Sequence, residues 1–243
     1  MRRRPLLEMS VETLDAAIAA ARGGADRIEL CEDLSVGGVT PSAQLMREAR
    51  VRVQVPIFAM IRPRGGNFHY SAAEFVEMKT QIAYAKSTRM DGVVFGILTA
   101  DQTVDVPRNA ELVELARPLP ATFHRAFDEL LDLQNGLKEV IAAGATRILT
   151  SGGAATAEEG AGRIAALLQQ AGQEITILPG GGIRPGNLGR IARVARAREF
   201  HSGLSNLLPG PTGTHREFEE GVRALVRVLE EESGVLESAS KTT

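Results

Sequence analysis

The sequence predicts a single domain, residues 1–243, folded as a TIM (β/α)8 barrel, and three observations support this prediction. Runs with strand character alternate with helical runs at roughly 30-residue spacing, which is the repeat of this fold. The length of 243 residues suits one such domain, because α/β barrels commonly span about 250 residues. Residues 24–30 and 144–150 also resemble each other, since each leaves a helix through Gly-Ala and enters a strand. An open doubly wound sheet is the main alternative, but eight regular units without a second domain favour closure.

The first two units are short and bounded by glycine or proline. Residues 6–9 form an apolar run interrupted by an acid, which predicts strand one, and residues 11–22 repeat Leu, Ile and Ala at helical spacing. Strand two is predicted at residues 26–31, where apolar and polar residues alternate. Thr40 is expected to cap the second helix, with Pro41 at its first position.

The third and fourth units contain the clearest capping signal of the chain. Strand three is predicted at residues 56–62 and strand four at residues 91–98. Ser71 begins the helix at 71–86, and Glu74 three residues later completes a capping box. The helix behind strand four is predicted at residues 107–116.

The last four units begin with the segment at residues 121–128, which we interpret as strand five. Thr and His there alternate with Phe and Arg, and a helix at residues 131–143 follows. The remaining strands are predicted at residues 147–151, 174–178 and 199–202, and the remaining helices at residues 156–171, 185–196 and 217–232. A polar tail at about residues 236–243 is expected to be frayed.

Composition excludes several classes of protein. The formal net charge is −2 and aromatic residues make up 4% of the chain, so nothing indicates a nucleic-acid partner. No apolar run approaches the roughly 20 residues that a membrane span requires. The single cysteine, Cys31, cannot form an intramolecular disulfide, which is typical of a reducing compartment. We therefore expect a cytoplasmic protein with no membrane partner.

Polar residues recur at the C-terminal ends of the predicted strands, where TIM barrels carry their active sites. Because Ile28 and Leu30 should face the helices, Glu29 and Cys31 should point into the barrel; the same alternation turns Met60 and Arg62 inward. The candidates for acid–base catalysis are Glu8, Glu29, His124 and Asp128. The candidates for binding an anion through side chains are Arg62, Arg64, Arg125, His201 and Ser202. In the structural alternative, Glu8 and Glu29 simply pair with Arg62 and Arg125 in a buried network.

Three consecutive glycines follow strand seven. Gly180, Gly181 and Gly182 precede Pro185, which suits the first position of a helix. Backbone N–H groups in such a loop can approach an anion, and TIM barrels often bind phosphate after strands seven and eight. The alternative is a tight turn that needs positive φ. The sequence therefore predicts an anion site here.

Several segments resemble the CutC family, and together they run from about residue 6 to residue 202. They are residues 23–31, 37–42, 60–66, 122–128, 149–152 and 199–202. The resemblance implies a TIM barrel, a cytoplasmic location, homo-oligomers (dimer or tetramer) and a role in copper homeostasis. It also implies copper binding, attributed in some members to cysteines on the first two strands.

This chain departs from the family pattern at the first strand, where Ser10 occupies the position of the expected cysteine. Cys31 remains, and Met60 is a second candidate ligand, because Cu(I) prefers thiolate and thioether sulfur. Two functional hypotheses stay open: a copper-handling protein without turnover, and an enzyme acting on a small anionic or phosphorylated substrate. A third is a barrel whose polar network is only structural.

Overall fold

The computed structural model describes residues 4–208 and 214–239, and it confirms a TIM barrel in one domain. Eight parallel strands form one sheet: β1 (Leu6–Val11), β2 (Arg27–Leu30), β3 (Ile57–Met60), β4 (Gly92–Phe95), β5 (Ala121–Phe123), β6 (Arg147–Thr150), β7 (Thr176–Pro179) and β8 (Glu199–Ser202). Eight helices surround it: α1 (Leu14–Gly23), α2 (Ala43–Arg52), α3 (Ala72–Ser87), α4 (Val106–Ala116), α5 (Leu133–Ala142), α6 (Ala161–Ala171), α7 (Pro185–Ala195) and α8 (Arg216–Ala239).

The strand order is β7-β6-β5-β4-β3-β2-β1-β8, so the chain runs round the barrel in sequence and β8 returns to β1. The register sets Glu8 of β1 opposite Arg27 of β2 on one side and His201 of β8 on the other. At the β7–β8 seam the strands approach so closely that a Cβ on Gly180 would lie 3.1 Å from the Cβ of His201.

Alternation along the strands divides the apolar residues into two groups. Leu7, Met9, Ile28 and Ile57 are fully buried between the sheet and the helices. A smaller group inside the barrel consists of Cys31, Phe58, Met60 and Val94. The predicted inward direction of Cys31 and Met60 is therefore confirmed.

The helix caps follow local chemistry with one correction. The Ser71–Glu74 capping box is present at α3, and Pro185 is the first residue of α7. The prediction that Thr40 caps the second helix was wrong, because Ser42 caps α2 by accepting the Leu45 N–H. The Thr40 hydroxyl instead donates to Gln81 and accepts the Arg62 N–H at 2.8 Å, so it ties two loops together.

Strand five is shorter than predicted. It ends at Phe123, and residues Arg125–Glu129 form a 3-10 helix. The cause is local, since His124 Nδ1 accepts the Ala126 N–H and turns the chain out of the sheet. His124 and Arg125 are therefore not strand residues, and they do not alternate across a sheet.

Helix bounds also differ at α6 and α8. α6 begins at Ala161 rather than residue 156, because the preceding loop is held by a hydrogen bond from Ala157 N–H to Gly181 O. α8 runs to Ala239, past the predicted end at residue 232, so part of the expected tail at 236–243 is helical and residues 240–243 lie outside the described residues. None of the helices in the described ranges combines the length and apolarity needed to cross a bilayer.

Candidate functional site at the barrel mouth

A cavity of about 710 Å³ opens at the C-terminal ends of the strands. Its wall includes Ser10, Glu29, Met60, His124 and His201 from the barrel interior, joined by loop residues that follow β2, β5, β7 and β8. This is the end of the barrel at which the sequence predicted the site.

The floor of the cavity carries a buried chain of charged groups. His201 Nδ1 lies 2.7 Å from Glu8 Oε1, and its Nε2 lies 3.8 Å from Glu29 Oε2. The Ser10 hydroxyl donates to Glu29 Oε2 at 2.8 Å. The other oxygen of that carboxylate, Glu29 Oε1, is buried and has no hydrogen-bond partner among the described residues. The imidazole of His201 thus lies between two carboxylates. Both oxygens of Glu8 have a partner, whereas one oxygen of Glu29 has none among the described residues.

The two carboxylates have opposite pKa shifts. Burial alone would raise the pKa of Glu8, but Arg27 and His201 outweigh it and lower that pKa to about 2. Burial raises the pKa of Glu29, Glu8 adds to this, and together they exceed the opposing effect of His201. Burial would lower the pKa of His201, but Glu29 and Glu8 raise it overall. Glu8 is therefore a fixed negative charge, whereas His201 and Glu29 hold a proton more tightly than they would in water.

Arg27 completes this network and was missed by the sequence analysis. Its Nε is hydrogen-bonded to Glu8, and its Nη2 donates to Glu199 at 2.6 Å. Arg27 lies two residues before Glu29 on the same strand, so alternation could have placed it inside the barrel. The predicted pairing of Glu8 and Glu29 with Arg62 and Arg125 is not what the structure shows, because Arg27 and His201 are the partners.

His124 lies on the cavity wall but in a different environment. Its ring packs 4.8 Å from the Phe68 ring, and its Nδ1 accepts the Ala126 N–H. Burial and the nearby Arg62 lower the pKa of His124 to about 3, so the imidazole is neutral at physiological pH. Its Nε2 is buried without a partner among the described residues. A base with this pKa is a poor proton acceptor, so the structure does not support the expected acid–base role of His124.

Asp128 is saturated by hydrogen bonds. Its two carboxylate oxygens accept from Arg125 Nε at 2.9 Å, from the Thr150 and Ser151 hydroxyls, and from the N–H groups of Ser151 and Gly153. The side chain therefore fixes the loop after β6 against the turn after β5. Ser151, which also accepts from Arg125 Nη2 at 3.0 Å, was missed, although its position at a strand end before two glycines was a signal.

The two arginines after β3 bond mainly to the protein itself, although Arg62 lines the cavity and its Nε is buried without a described partner. Arg62 is buried and donates to the carbonyl oxygens of Val36, Gly38 and Gly66. Arg64 donates to Glu74 at 2.5 Å and to carbonyl oxygens of its own loop, and it does not line the cavity. These contacts show that Arg62 and Arg64 hold loop segments together, so the two guanidinium groups do not form a pair that faces an anion.

The glycine loop after β7 has the geometry that the anion prediction requires. Gly181 and Gly182 have φ values of 103° and 70° and line the cavity. Gly180 donates its N–H to Thr150 within the sheet, so it is not available to a ligand. No described residue accepts a hydrogen bond from the N–H of Gly181 or Gly182. Ser202 holds this loop by donating to Ile183 O at 2.8 Å.

The residues that could hold a metal form two groups. Glu8, Glu29 and His201 each offer a ligand atom within 4.8 Å of the others. However, both oxygens of Glu8 are already bonded to Arg27 and His201. Only Glu29 and His201 Nε2 then remain, which is fewer than the three protein ligands common in catalytic metal sites.

The second group contains sulfur. Cys31 is fully buried, its Sγ lies 3.7 Å from Ser10 Oγ, and Gly38 lies against both Cys31 and Met60. Burial and Glu29 raise the pKa of the Cys31 thiol well above its usual range. Because Cu(I) binds thiolate rather than thiol, one protonated sulfur beside a hydroxyl does not fit a two-thiolate copper site.

Comparisons with known proteins agree with the sequence resemblance. The family model described as the CutC family matches residues 5–206. A CutC family protein of Chromobacterium violaceum is 48% identical over 197 residues, covering 81% of this chain and 80% of its own length. The "Copper homeostasis protein cutC homolog" of Homo sapiens is 47% identical over 196 residues, covering 81% and 72%. The crystal structure of the putative copper homeostasis protein CutC from Streptococcus agalactiae has a TM-score of 0.77 and 33% identity, covering 82% of this chain and 98% of that one.

Proposed function

The chain belongs to the CutC family, and from this premise and the geometry of the mouth we propose that it is an enzyme that performs acid–base chemistry on a small anionic molecule. The proposal depends mainly on the burial of Glu29 and on its incomplete hydrogen bonding. This carboxylate is buried and lines the cavity, and one of its oxygens has no partner in the part of the chain that the structure describes. A buried unpaired carboxylate oxygen is costly for folding, and a bound substrate would satisfy it.

Glu8 and His201 have supporting roles in this proposal. Glu8 stays ionised and accepts from His201 Nδ1, so His201 presents Nε2 towards Glu29. The raised pKa of Glu29 moves this group towards the range in which a side chain can accept and return a proton at neutral pH, and the raised pKa of His201 favours its protonated form. Glu29 is the catalytic group, and His201 is the proton-sharing neighbour.

The charge of the substrate follows from other residues that line the cavity. Arg125, Arg184, Gly181 and Gly182 also line it. Arg125 uses Nε and Nη2 for Asp128 and Ser151, which leaves Nη1 without a described partner. A Cβ on Gly181 would lie 3.3 Å from that Nη1, so the backbone and the guanidinium converge on one place. Backbone donors and a guanidinium are typical partners of a phosphate or carboxylate.

The test is a search for turnover that depends on Glu29. Wild-type protein and Glu29→Gln are incubated in deuterated buffer with small anionic metabolites, including carboxylates and phosphate esters, and followed by proton NMR. We expect at least one compound to exchange or convert with wild type at a rate that falls by about 10²-fold or more in Glu29→Gln. Glu77→Gln, an exposed change on α3, is the matched control. Equal rates for wild type and Glu29→Gln would contradict the proposal.

Copper handling is the second candidate, and the names of the curated relatives favour it. The structural observation on its side is the pairing of Cys31 with Met60 inside the barrel. The protonated thiol and Ser10 argue for weak binding, so copper is not assigned a role in the chemistry above. A cytoplasmic location and a homo-oligomeric state are proposals carried by the family resemblance.

A further inference from the structure

One ring nitrogen of His124 has a hydrogen-bond partner, and the other has none among the described residues. Nδ1 accepts a hydrogen bond from the Ala126 N–H, so Nδ1 carries a lone pair and the proton of the neutral imidazole is on Nε2. The edge bearing Nδ1 and Cε1 lies against Gly96, where a Cβ would come within 2.8 and 2.9 Å of those atoms. The turn after β5 and the absence of a side chain at Gly96 together fix the tautomer and the ring position.

The open nitrogen is a buried N–H donor. His124 Nε2 has no partner within the described residues, although the ring lies on the cavity wall. Buried donors without partners are rare in folded proteins, and each requires an explanation such as a water or a ligand. Phe68, also on the wall, packs against this ring. The donor therefore has the Phe68 ring as one of its neighbours on the cavity wall.

The neutral N–H of His124 and the positive charge of Arg62 together favour one kind of acceptor, a carbonyl oxygen. Arg62 also lies over the Phe68 ring, with its guanidinium carbon 4.8 Å from the ring centroid, and its charge contributes to the low pKa of His124. A neutral N–H can bind a neutral carbonyl oxygen, and it strengthens as that oxygen gains negative charge in a transition state. The nearby guanidinium adds to that stabilisation without being bonded to the oxygen.

We propose that His124 donates a hydrogen bond from Nε2 to a carbonyl oxygen of the substrate, which makes the substrate a small anionic carbonyl compound. This inference rests on the proposed function, because it uses Glu29 as the base. Glu29 takes a proton from the carbon next to the carbonyl, the C–H electron pair forms a C=C bond, and the carbonyl π pair moves to oxygen. That enolate oxygen accepts from His124 Nε2–H, and Glu29 returns the proton, so the step needs no other reactant.

The first test measures the tautomer directly. The chain has four histidines, so ¹⁵N-histidine labelling with single substitutions assigns each ring. We expect His124 to show a protonated Nε2 and an unprotonated Nδ1 throughout pH 5–8. A proton on Nδ1, or titration of His124 within that range, would overturn the proposal.

The second test compares matched pairs of anions that differ only in a carbonyl or a hydroxyl, such as 2-oxobutyrate and 2-hydroxybutyrate, and a phosphorylated ketone with its alcohol. Binding is followed by thermal shift, and exchange of the adjacent C–H by NMR in deuterated buffer. We expect at least one carbonyl member to bind roughly tenfold more tightly than its alcohol, with exchange catalysed only for the carbonyl. Absence of a carbonyl preference in every pair overturns the substrate class.

Two substitutions separate a hydrogen-bonding role from a structural one. His124→Gln and His124→Leu both remove the imidazole, but only glutamine can place an N–H near the position of Nε2. We expect His124→Gln to keep part of the carbonyl preference and His124→Leu to lose it, while His69→Leu behaves as wild type. Equal preference in the two His124 variants contradicts the role.

The two proposals can fail separately. If Glu29-dependent turnover is found only for anions without a carbonyl, this inference is wrong and the proposed function stands. If turnover is independent of Glu29, the proposed function is itself wrong.

Discussion

Glu29 is buried with one oxygen bonded to Ser10 and the other without a described partner. The groups that face it are Glu8 from the neighbouring strand β1, His201 from β8 and Arg27 from its own strand. Because the charged form is poorly compensated, the carboxylate favours protonation in the folded protein. Such residues are typical of sites where stability is given up for function.

We expect Glu29→Gln to stabilise the protein at neutral pH by about 1–2 kcal/mol. Burial raises the folded-state pKa of Glu29 above the ordinary glutamate value of 4.5. Its contribution to stability is therefore complete below about pH 4.5 and is lost as pH rises through the folded-state pKa. The advantage of the glutamine should accordingly be small at pH 4 and larger at pH 7, as measured by urea unfolding. Glu77→Gln serves as the control, and a variant less stable than wild type at pH 7 would count against the interpretation.

Ser10 makes the copper hypothesis testable with one substitution. Its hydroxyl lies 3.7 Å from Cys31 Sγ, so Ser10→Cys would place two sulfur atoms close enough to share one ion. We expect wild type to compete poorly with a Cu(I) chelator and Ser10→Cys to bind more tightly. Tight stoichiometric binding by wild type that survives Cys31→Ser would show that the ligands lie elsewhere.

At this scale, alternation along single strands correctly predicted that Glu29, Cys31 and Met60 point inward. It did not predict that His201 pairs with Glu8, because that contact depends on the register between the first and last strands. It also missed the neutral state of His124, which depends on burial, to which the Phe68 ring contributes, and on the nearby charge of Arg62. Contacts between residues that are far apart in the sequence leave no signal in a local pattern.

At the scale of elements, the loops after the strands are joined by side chains that bond to the backbone. Arg62 connects the loop after β2 with the loop after β3 through three carbonyl oxygens. Asp128 performs the same task between β5 and β6. The sequence identified both residues as candidates for chemistry, because a charged residue at a strand end looks the same whether it binds a ligand or a neighbouring loop.

Arg62→Ala tests this structural role. Removing the guanidinium leaves three carbonyl oxygens without their charged donor, so we expect a loss of about 3 kcal/mol in the free energy of unfolding. Arg64→Ala is the matched control: its side chain is 38% exposed, and we expect a loss of about 1 kcal/mol or less. Denaturant melts of both variants decide the matter. Unchanged stability of Arg62→Ala would return this residue to the group of possible anion ligands.

The glycine loop after β7 gives the prediction for anion binding. Phosphate should stabilise wild type relative to chloride at equal ionic strength, by about 2.7 kcal/mol at a hundredfold excess over the dissociation constant. Gly181→Val should abolish this protection, because φ is 103° and a Cβ would lie 3.2 Å from Ser151.

Gly162→Val on α6 is the control for that substitution, since nothing lies within 4 Å of a Cβ there. Thermal shift at several phosphate concentrations measures both variants. Identical melting temperatures of the wild type in phosphate and in chloride would contradict an anion site.

For the whole molecule, the eightfold alternation of strands and helices was enough to predict the barrel. Several predicted boundaries were wrong where side chains form hydrogen bonds with the backbone, as His124 does at the end of β5 and Ser42 does at the start of α2. The periodic pattern records which face of an element is buried. It does not record where a side chain ends the element, and that information decides which residues reach the mouth.

Because Cys31 is buried, the rate at which it is alkylated can measure how often the barrel mouth opens. The thiol is fully buried beneath Gly38, and it is the one cysteine of the chain. An alkylating reagent can reach it only when the barrel mouth separates, so the labelling rate in native buffer measures the population of opened molecules. We expect rapid labelling in strong denaturant and slow labelling without it, with the ratio giving the free energy of opening. Ligands that occupy the mouth should then slow alkylation in proportion to their occupancy, which offers a way to screen for the substrate without knowing the reaction.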